Sequence, residues 1–368
     1  MTPEELRADI PALEETTYMN TGASGPSPER VVEATERALE DHEYRSPADE
    51  GMYTAAFAGF DETRETVAAH LGADPSEIAL TQSTTDGINR VACALEWEAG
   101  DVVVRTDLEH SAGILPWQRQ RRRHGIDVRV VETDRGRIDL DEVKAAVDGA
   151  KLVVFSSLSW NYGTRLPVSD IVELAHDAGA LVLVDAVQSP GQTPVDVEEW
   201  GADFVAAAGH KWLLGPWGTG FLYVSDEIAE GVHPGQVGYR SVEDSNASEF
   251  HFKSGARRFE IGTTSPAPYA GLRAGIELIE DLGYDAITAH VRELTDYLKA
   301  ELGEERVLSP VEYESGLVTF AADDPEELVE RLAEANVQIR SIPYPEAVRA
   351  SIHVFNTRED VDRLLDVV

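Results

Sequence analysis

The sequence predicts an α/β protein: a large domain with a mostly parallel sheet covered by helices, then a smaller α+β domain at the C-terminal end. Two observations carry this. Between about residues 77 and 224, short runs that are apolar throughout alternate with amphipathic segments. That is the pattern of strands buried on both faces and separated by helices. After about residue 265 the alternation gives way to two long helices and then to shorter strands.

Taken in order, residues 1–19 read as a short helix and an arm that packs with the small domain, residues 20–265 as the large domain, and residues 266–368 as the small one. The stretch Tyr18–Pro26 is rich in small residues, which let a backbone approach a neighbour closely. A helix starts near Pro28. In the large domain the predicted strands are Ile78–Thr81, Asp101–Arg105, Asp127–Val131, Lys151–Ser157, Ala180–Asp185, Phe204–Ala208 and Gly220–Val224. The helices among them are Thr84–Leu95, Gly113–His124, Leu140–Val147 and Val168–Ala178. In the small domain, helices Ala270–Asp281 and Tyr284–Leu302 precede strands Gly316–Ala321, Gln338–Ser341 and Ser351–Phe355. Helices Pro325–Ala335 and Arg358–Val367 lie among and after those strands. In parallel sheets of this kind, ligands bind beyond the carboxyl ends of the strands.

Composition sets bounds on function. The 368 residues include 68 acidic and 31 basic side chains, a formal net charge of −37, and 42% are hydrophobic. The acids are spread over helical faces and lysine is scarce, a surface suited to concentrated salt, where screening suppresses repulsion. Such a surface repels nucleic acid and anionic membranes. Cys93 is the single cysteine, so no internal disulfide or cysteine metal cluster can form, and no metal site is expected. The polar, acidic N-terminus does not read as a signal peptide, and no apolar run approaches the ~20 residues of a membrane span. A soluble cytoplasmic protein is expected.

Among the five lysines, Lys211 stands apart. It follows the apolar run Phe204–Ala208, in Gly209-His210-Lys211-Trp212-Leu213, whereas Lys144, Lys151, Lys253 and Lys299 lie beside polar residues. An ammonium in apolar surroundings is costly unless it is paired or used in chemistry, and Schiff-base formation is one such use. The alternative is a lysine that snorkels to solvent. Asp185 ends the preceding apolar strand. A carboxylate there can keep a pyridine-ring nitrogen protonated, as a pyridoxal cofactor requires, or can cap a helix. Gln188 follows within reach of the same ring. Thr84 and Thr85 open a helix after a strand, as a phosphate site or as a plain cap. His110, after strand 101–105, is placed to stack on a planar cofactor and to move protons. The run Arg119–His124 closes a helix whose dipole favours cations, so it is read as structural.

Together, Asp185 with Gln188, then Gly209-His210-Lys211, then Phe259-Glu260-Ile261-Gly262-Thr263, resemble class V of the pyridoxal-phosphate aminotransferase superfamily. The likeness runs from about Tyr18 to the C-terminus. That group includes cysteine desulfurases, cyst(e)ine C–S lyases and isopenicillin-N epimerase. The resemblance implies a fold-type I enzyme with pyridoxal 5′-phosphate as cofactor and a small amino acid as substrate. It implies Lys211 as Schiff-base lysine and later general base, Asp185 on the ring nitrogen, Gln188 on the phenolic oxygen and His110 over the ring face. Thr84, Thr85 and His210 would hold the phosphate. Thr263 would reach a partner's phosphate, implying a homodimer. Arg349, in Val348-Arg349-Ala350-Ser351, would bind the substrate carboxylate, with Arg340 as a second anion-binding candidate and Asn161 near the substrate.

Three departures separate the chain from the desulfurase pattern. Cysteine desulfurases carry a nucleophilic cysteine in the loop before this arginine, and Ile339–Arg349 has none. Cys93 sits instead in the helix after Thr84-Thr85 and is expected to be a buried packing residue. Ala208 stands where many relatives have a hydroxyl, and the Trp160-Asn161 pair shifts the asparagine. The expectation is sulfur release from cyst(e)ine without a loop thiol, with a sulfur-acceptor protein as a candidate partner. The alternatives are an epimerase, with His110 or Tyr162 as second acid, an aminotransferase, and a non-catalytic cofactor-binding scaffold for sulfur assembly.

Overall fold

The computed structural model describes residues 1–368. Its strands, in chain order, are β1 (Thr17–Tyr18), β2 (Ile78–Thr81), β3 (Val102–Thr106), β4 (Asp127–Val131), β5 (Leu152–Ser156), β6 (Leu181–Asp185), β7 (Phe204–Ala208), β8 (Gly220–Val224), β9 (Leu317–Phe320), β10 (Val337–Gln338), β11 (Arg340–Pro343) and β12 (Glu346–Ser351).

Seven strands form the main sheet in the order β2-β8-β7-β6-β5-β3-β4. β3 to β7 run parallel, and β8 is antiparallel to both β7 and β2. Every residue of β5, β7 and β8 is buried. Helices pack on both faces, which is why these strands are apolar at every position instead of alternating. The fold is the mostly parallel, helix-covered sheet that the sequence predicts. The second sheet is antiparallel, in the order β11-β12-β9, and β1 pairs in parallel with β10. That pairing ties the N-terminal arm to the C-terminal third of the chain, and the buried Asp360, which accepts from Arg7 at 2.8 Å, reinforces it.

Four sequence expectations need correction. The 20-residue helix Met52–Leu71 is absent from the sequence reading, because its inner face carries Thr63, Arg64 and His70 among apolar residues. Arg64 is tolerated there because it pairs with buried Glu260 at 2.8 Å. The strand expected over Gln338–Ser341 is split between two sheets, as β10 and β11. The strand expected over Ser351–Phe355 instead ends at Ser351, and His353 turns its ring onto Trp212. Lys299 is buried, its ammonium donating to the Glu312 carbonyl, so apolar setting alone does not single out Lys211. No helix is long and apolar enough to cross a membrane.

Candidate active site

The carboxyl ends of β3, β6 and β7 converge on one cavity of about 180 Å³. Lys211, His110, Asp185, Gln188, His210, Thr84, Thr85, Arg340 and Arg349 all line it. These residues span 266 positions of sequence, from Thr84 to Arg349, counting both ends.

Lys211 is half-buried, in the turn that leaves β7. Its backbone is held on both sides. The Gly25 amide donates to the His210 carbonyl at 2.8 Å, and the Lys211 carbonyl accepts from Leu214. Only glycine fits at position 25, since a Cβ there would lie 2.2 Å from the Lys211 carbonyl oxygen. Burial pushes the ammonium down to about 8, with Arg349 and Arg340 adding to the fall and Asp185 opposing it. Burial raises the proton affinity of Asp185, and Lys211 counters it. Asp185 Oδ1 accepts from the Val187 amide at 3.0 Å, and Oδ2 has no protein donor.

Gln188 is engaged at both ends of its amide. Its Oε1 accepts from Trp212 Nε1 at 2.7 Å, and its Nε2 donates to the Gly22 carbonyl at 3.0 Å. One Nε2 hydrogen is left for a ligand. The helix Thr84–Ala94 is capped by Ser83, which accepts from the Asp86 amide. With the cap supplied by Ser83, the hydroxyls of Thr84 and Thr85 are not needed for it, and Thr84 Oγ1 is buried without a partner. His110 Nδ1 accepts from the Ala112 amide, and its ring meets Trp160 edge-on at 5.6 Å. Burial, then Lys211 and the two arginines, push His110 down to about 4. His210 is also pushed down to about 4, by burial and then Lys211. Both imidazoles are therefore neutral at pH 7.

Arg349 is buried, and one nitrogen donates to the Trp160 carbonyl at 2.7 Å. Its Nε and Nη2 are buried without partners. Buried unpaired donors of this kind are uncommon and mark a place for a ligand. Burial and the neighbouring Arg340 push the guanidinium down to about 9.

Three predicted residues lie apart. Asn161 does not line the cavity. Its amide donates to the Tyr344 carbonyl, and the residue before it, Trp160, takes the place at the wall. Which of the two side chains faces inward depends on a turn that the sequence does not specify. Thr263 is exposed, bonds to the Tyr239 hydroxyl at 2.8 Å, and borders a separate cavity with Tyr53, Phe57 and Arg240. Tyr162 is also absent from the wall of the Lys211 cavity.

The lining fits pyridoxal phosphate and an amino acid. Three cationic side chains face one carboxylate, Asp185, so the cavity suits anions at one end and a ring cation at the other. The unpaired Thr84 hydroxyl and the Arg349 nitrogens gain partners when a phosphate and a carboxylate are present.

A model of the family "Aminotransferase class-V" matches residues 17–364. A probable cysteine desulfurase of Methanothermobacter thermautotrophicus is 36% identical, over 99% of this chain and 96% of the relative. The apo structure of a cysteine desulfurase from Thermococcus onnurineus superposes with a TM-score of 0.92 at 31% identity, over 100% of this chain and 97% of the other. The cystine C–S lyase C-DES, in complex with its reaction product cysteine persulfide, gives a TM-score of 0.92 at 28% identity, over 97% of this chain and 98% of the other. A C-DES mutant with glycine covalently linked to the PLP cofactor matches equally well, at 0.92 and 28% over 98% of each chain.

Proposed function

The chain belongs to the class-V aminotransferase family and is a pyridoxal-phosphate-dependent enzyme, and from that premise we propose that it releases sulfur from cysteine or cystine by β-elimination, without an active-site thiol. One observation carries the last clause: Lys211, Asp185 and Arg349 share a cavity whose wall holds no cysteine.

Lys211, Asp185, Gln188, His110, His210, Thr84 and Thr85 are the residues that would hold the cofactor. When bound, pyridoxal phosphate supplies an electron sink for charge that develops at the substrate α-carbon. Asp185 keeps the ring nitrogen protonated. Arg349 binds the substrate α-carboxylate through its unpaired Nε and Nη2, as a planar fork. Lys211 Nζ, as the neutral amine, takes the α-proton. The electron pair of the α C–H bond becomes the Cα–Cβ double bond, and the Cβ–S bond breaks with its pair going to sulfur. From cysteine the leaving group is sulfide, and from cystine it is cysteine persulfide. Water then converts the remaining carbon skeleton to pyruvate and ammonia. Neutral His110 and the outlying Tyr162 supply no ready acid for the opposite face, which weighs against an epimerase.

Arg340 beside Arg349 favours cystine over cysteine, because cystine carries a second carboxylate. Thr263, exposed beside Tyr53, Phe57 and Tyr239, supports a homodimer in which it reaches the partner's phosphate. We further assign residues 1–19 to an arm, 20–265 to the large domain and 266–368 to the small domain, and place the enzyme in a salt-rich cytoplasm, with an acceptor protein taking the released sulfur. The test is incubation of the holoenzyme, in high salt, with cysteine, cystine and a panel of L-amino acids. Sulfide or persulfide with stoichiometric pyruvate is expected. Racemisation or keto acid without either product would sink the proposal, and absence of any turnover would return the chain to a scaffold role.

A further inference from the structure

Glu109 is a buried carboxyl for which the steps above have no use. It follows β3, directly precedes His110, and is 4% exposed. Three donors converge on it. Thr106 Oγ1 donates to Oε1 at 2.6 Å, the Ser156 amide donates to the same oxygen at 3.1 Å, and Ser156 Oγ donates to Oε2 at 2.8 Å. The carboxyl lies against Gly113, where a Cβ would come within 3.1 Å of Oε2. The hydroxyls of Thr106 and Ser156 are free to donate, so the cradle is complete for a carboxylate and needs no proton from it. No arginine, lysine or histidine pairs with it. Ser156 is the register partner of Asp185 across β5 and β6, so both carboxyls sit at one end of the sheet.

The groups that face Glu109 are Thr106 from β3, Ser156 from β5, Asp185 from β6 and the turn at Gly113. Asp185 is the titratable one among them. Burial pushes Glu109 up to about 7, the bonds from Thr106 and Ser156 oppose that, and the Asp185 charge adds to it. Two buried carboxylates with no cation between them repel. A cation bound against Asp185 relieves that repulsion and is held by both.

We propose that Glu109 is a positioning residue that sets a second negative charge behind Asp185 and thereby holds the proton on the cofactor's ring nitrogen. This rests on the reading of Asp185 as the ring-nitrogen partner. Glu109 touches neither cofactor nor substrate. It acts through Asp185, and the three donors of the Thr106–Ser156 cradle favour its ionised form against the burial that raises its proton affinity.

The pH midpoint of the ring nitrogen itself, read by nitrogen-15 NMR of the holoenzyme carrying ring-labelled cofactor, tests this. Glu109→Gln is isosteric, and the hydroxyls of Thr106 and Ser156 can rotate to serve its amide. Removing a negative charge weakens proton binding at the cationic group it stabilises, so the midpoint falls by about one pH unit. Ser156→Ala removes the Oε2 donor, weakens the anion, and should move the midpoint the same way by less. It serves where Glu109→Gln does not fold. A midpoint equal to the parent's in every variant that folds overturns the proposal. Asp185→Asn separates the two readings. If it leaves both the midpoint and cofactor affinity at parental values, the assignment of Asp185 itself fails. If it moves them while the Glu109 and Ser156 variants do not, the role of Glu109 alone is refuted.

Discussion

Arg340 and Arg349 are register partners on adjacent antiparallel strands, and both open into the Lys211 cavity without a carboxylate partner. Two guanidiniums side by side repel, and Arg340 lowers the proton affinity of Arg349. The pair is stable where anions sit between or before the two groups. Arg349→Ala should therefore cost about 10- to 100-fold in kcat/KM for either substrate, the loss expected for a charge-assisted contact. Arg340→Ala should cost more with cystine than with cysteine. Steady-state kinetics with both substrates decide this, and equal losses for Arg340→Ala would remove Arg340 from cystine recognition.

Lys211 should act as a base whose strength shows in the pH profile. Its ammonium is pushed down to about 8, and the neutral amine is the form that accepts a proton. The rate of α-proton exchange into deuterium oxide should rise as pH increases through about 8 and then level. Lys211→Arg should bind cofactor without forming a covalent link, and exchange should fall about 100- to 10,000-fold, the usual worth of a positioned base. Borohydride reduction should label the peptide containing Lys211, and a label on another lysine would contradict the assignment.

Much of this architecture is legible in the sequence. Strands buried on both faces announce themselves as unbroken apolar runs, and so Asp185 and Lys211 can be placed at strand ends. What escapes depends on distant partners. The inner face of Met52–Leu71 hides Arg64, whose partner Glu260 lies 196 residues away. Trp160 and Asn161 are neighbours in sequence but face differently: Trp160 lines the cavity, and the Asn161 amide donates to the carbonyl of the distant Tyr344. The cradle around Glu109 joins β3 to β5, and local sequence does not reveal that adjacency. Composition is legible throughout, but the geometry of the cavity is not.

Cys93 should be dispensable for turnover. The sequence predicts a buried residue, and it is instead half-buried, bordering a cavity with Asp86, Arg90 and Arg119 that is separate from the Lys211 cavity. Arg119 Nη1 lies 3.9 Å from its sulfur. The thiol therefore lies outside the cavity proposed to hold the substrate. Cys93→Ala should keep most of the rate of pyruvate and sulfide formation, and its loss with the fold intact would restore a thiol-dependent route.

Stability should rise with salt. The net charge is −37, and self-repulsion among surface carboxylates grows as screening weakens. The screening length shortens from about 10 Å at 0.1 M to about 3 Å at 1 M salt, so the thermal midpoint in potassium chloride should climb over that range. Calorimetry showing one midpoint at both concentrations would refute the salt-adapted reading.

His353 should make the fold sensitive to mild acid. Its ring lies between Trp212 and Phe355, at centroid distances of 5.6 and 5.1 Å. Its Nε2 meets the Trp212 carbonyl at 2.9 Å, and its Nδ1 accepts from the Val354 amide at 2.7 Å. Both nitrogens are thus satisfied by the neutral tautomer with hydrogen on Nε2. A second proton would have to displace the Val354 amide inside an apolar stack. Burial, then the nearby His290, push His353 down to about 4, against only partial relief from the Trp212 carbonyl. The sign follows from linkage. The unfolded chain binds this proton near pH 6.5 and the folded chain near 4, so the unfolded state gains protons first. The stability His353 supports is present above about pH 6.5 and is lost as pH falls toward 4. Glu109, whose folded proton affinity is raised, works in the opposite direction over part of this range. The comparison of variant with parent isolates His353. His353→Gln keeps a donor for the Trp212 carbonyl and cannot titrate, so its urea midpoint should lie below the parent's at pH 7 and converge on it as pH is lowered. Parallel curves for the two proteins between pH 7 and about 4 would show that His353 is not the group responsible.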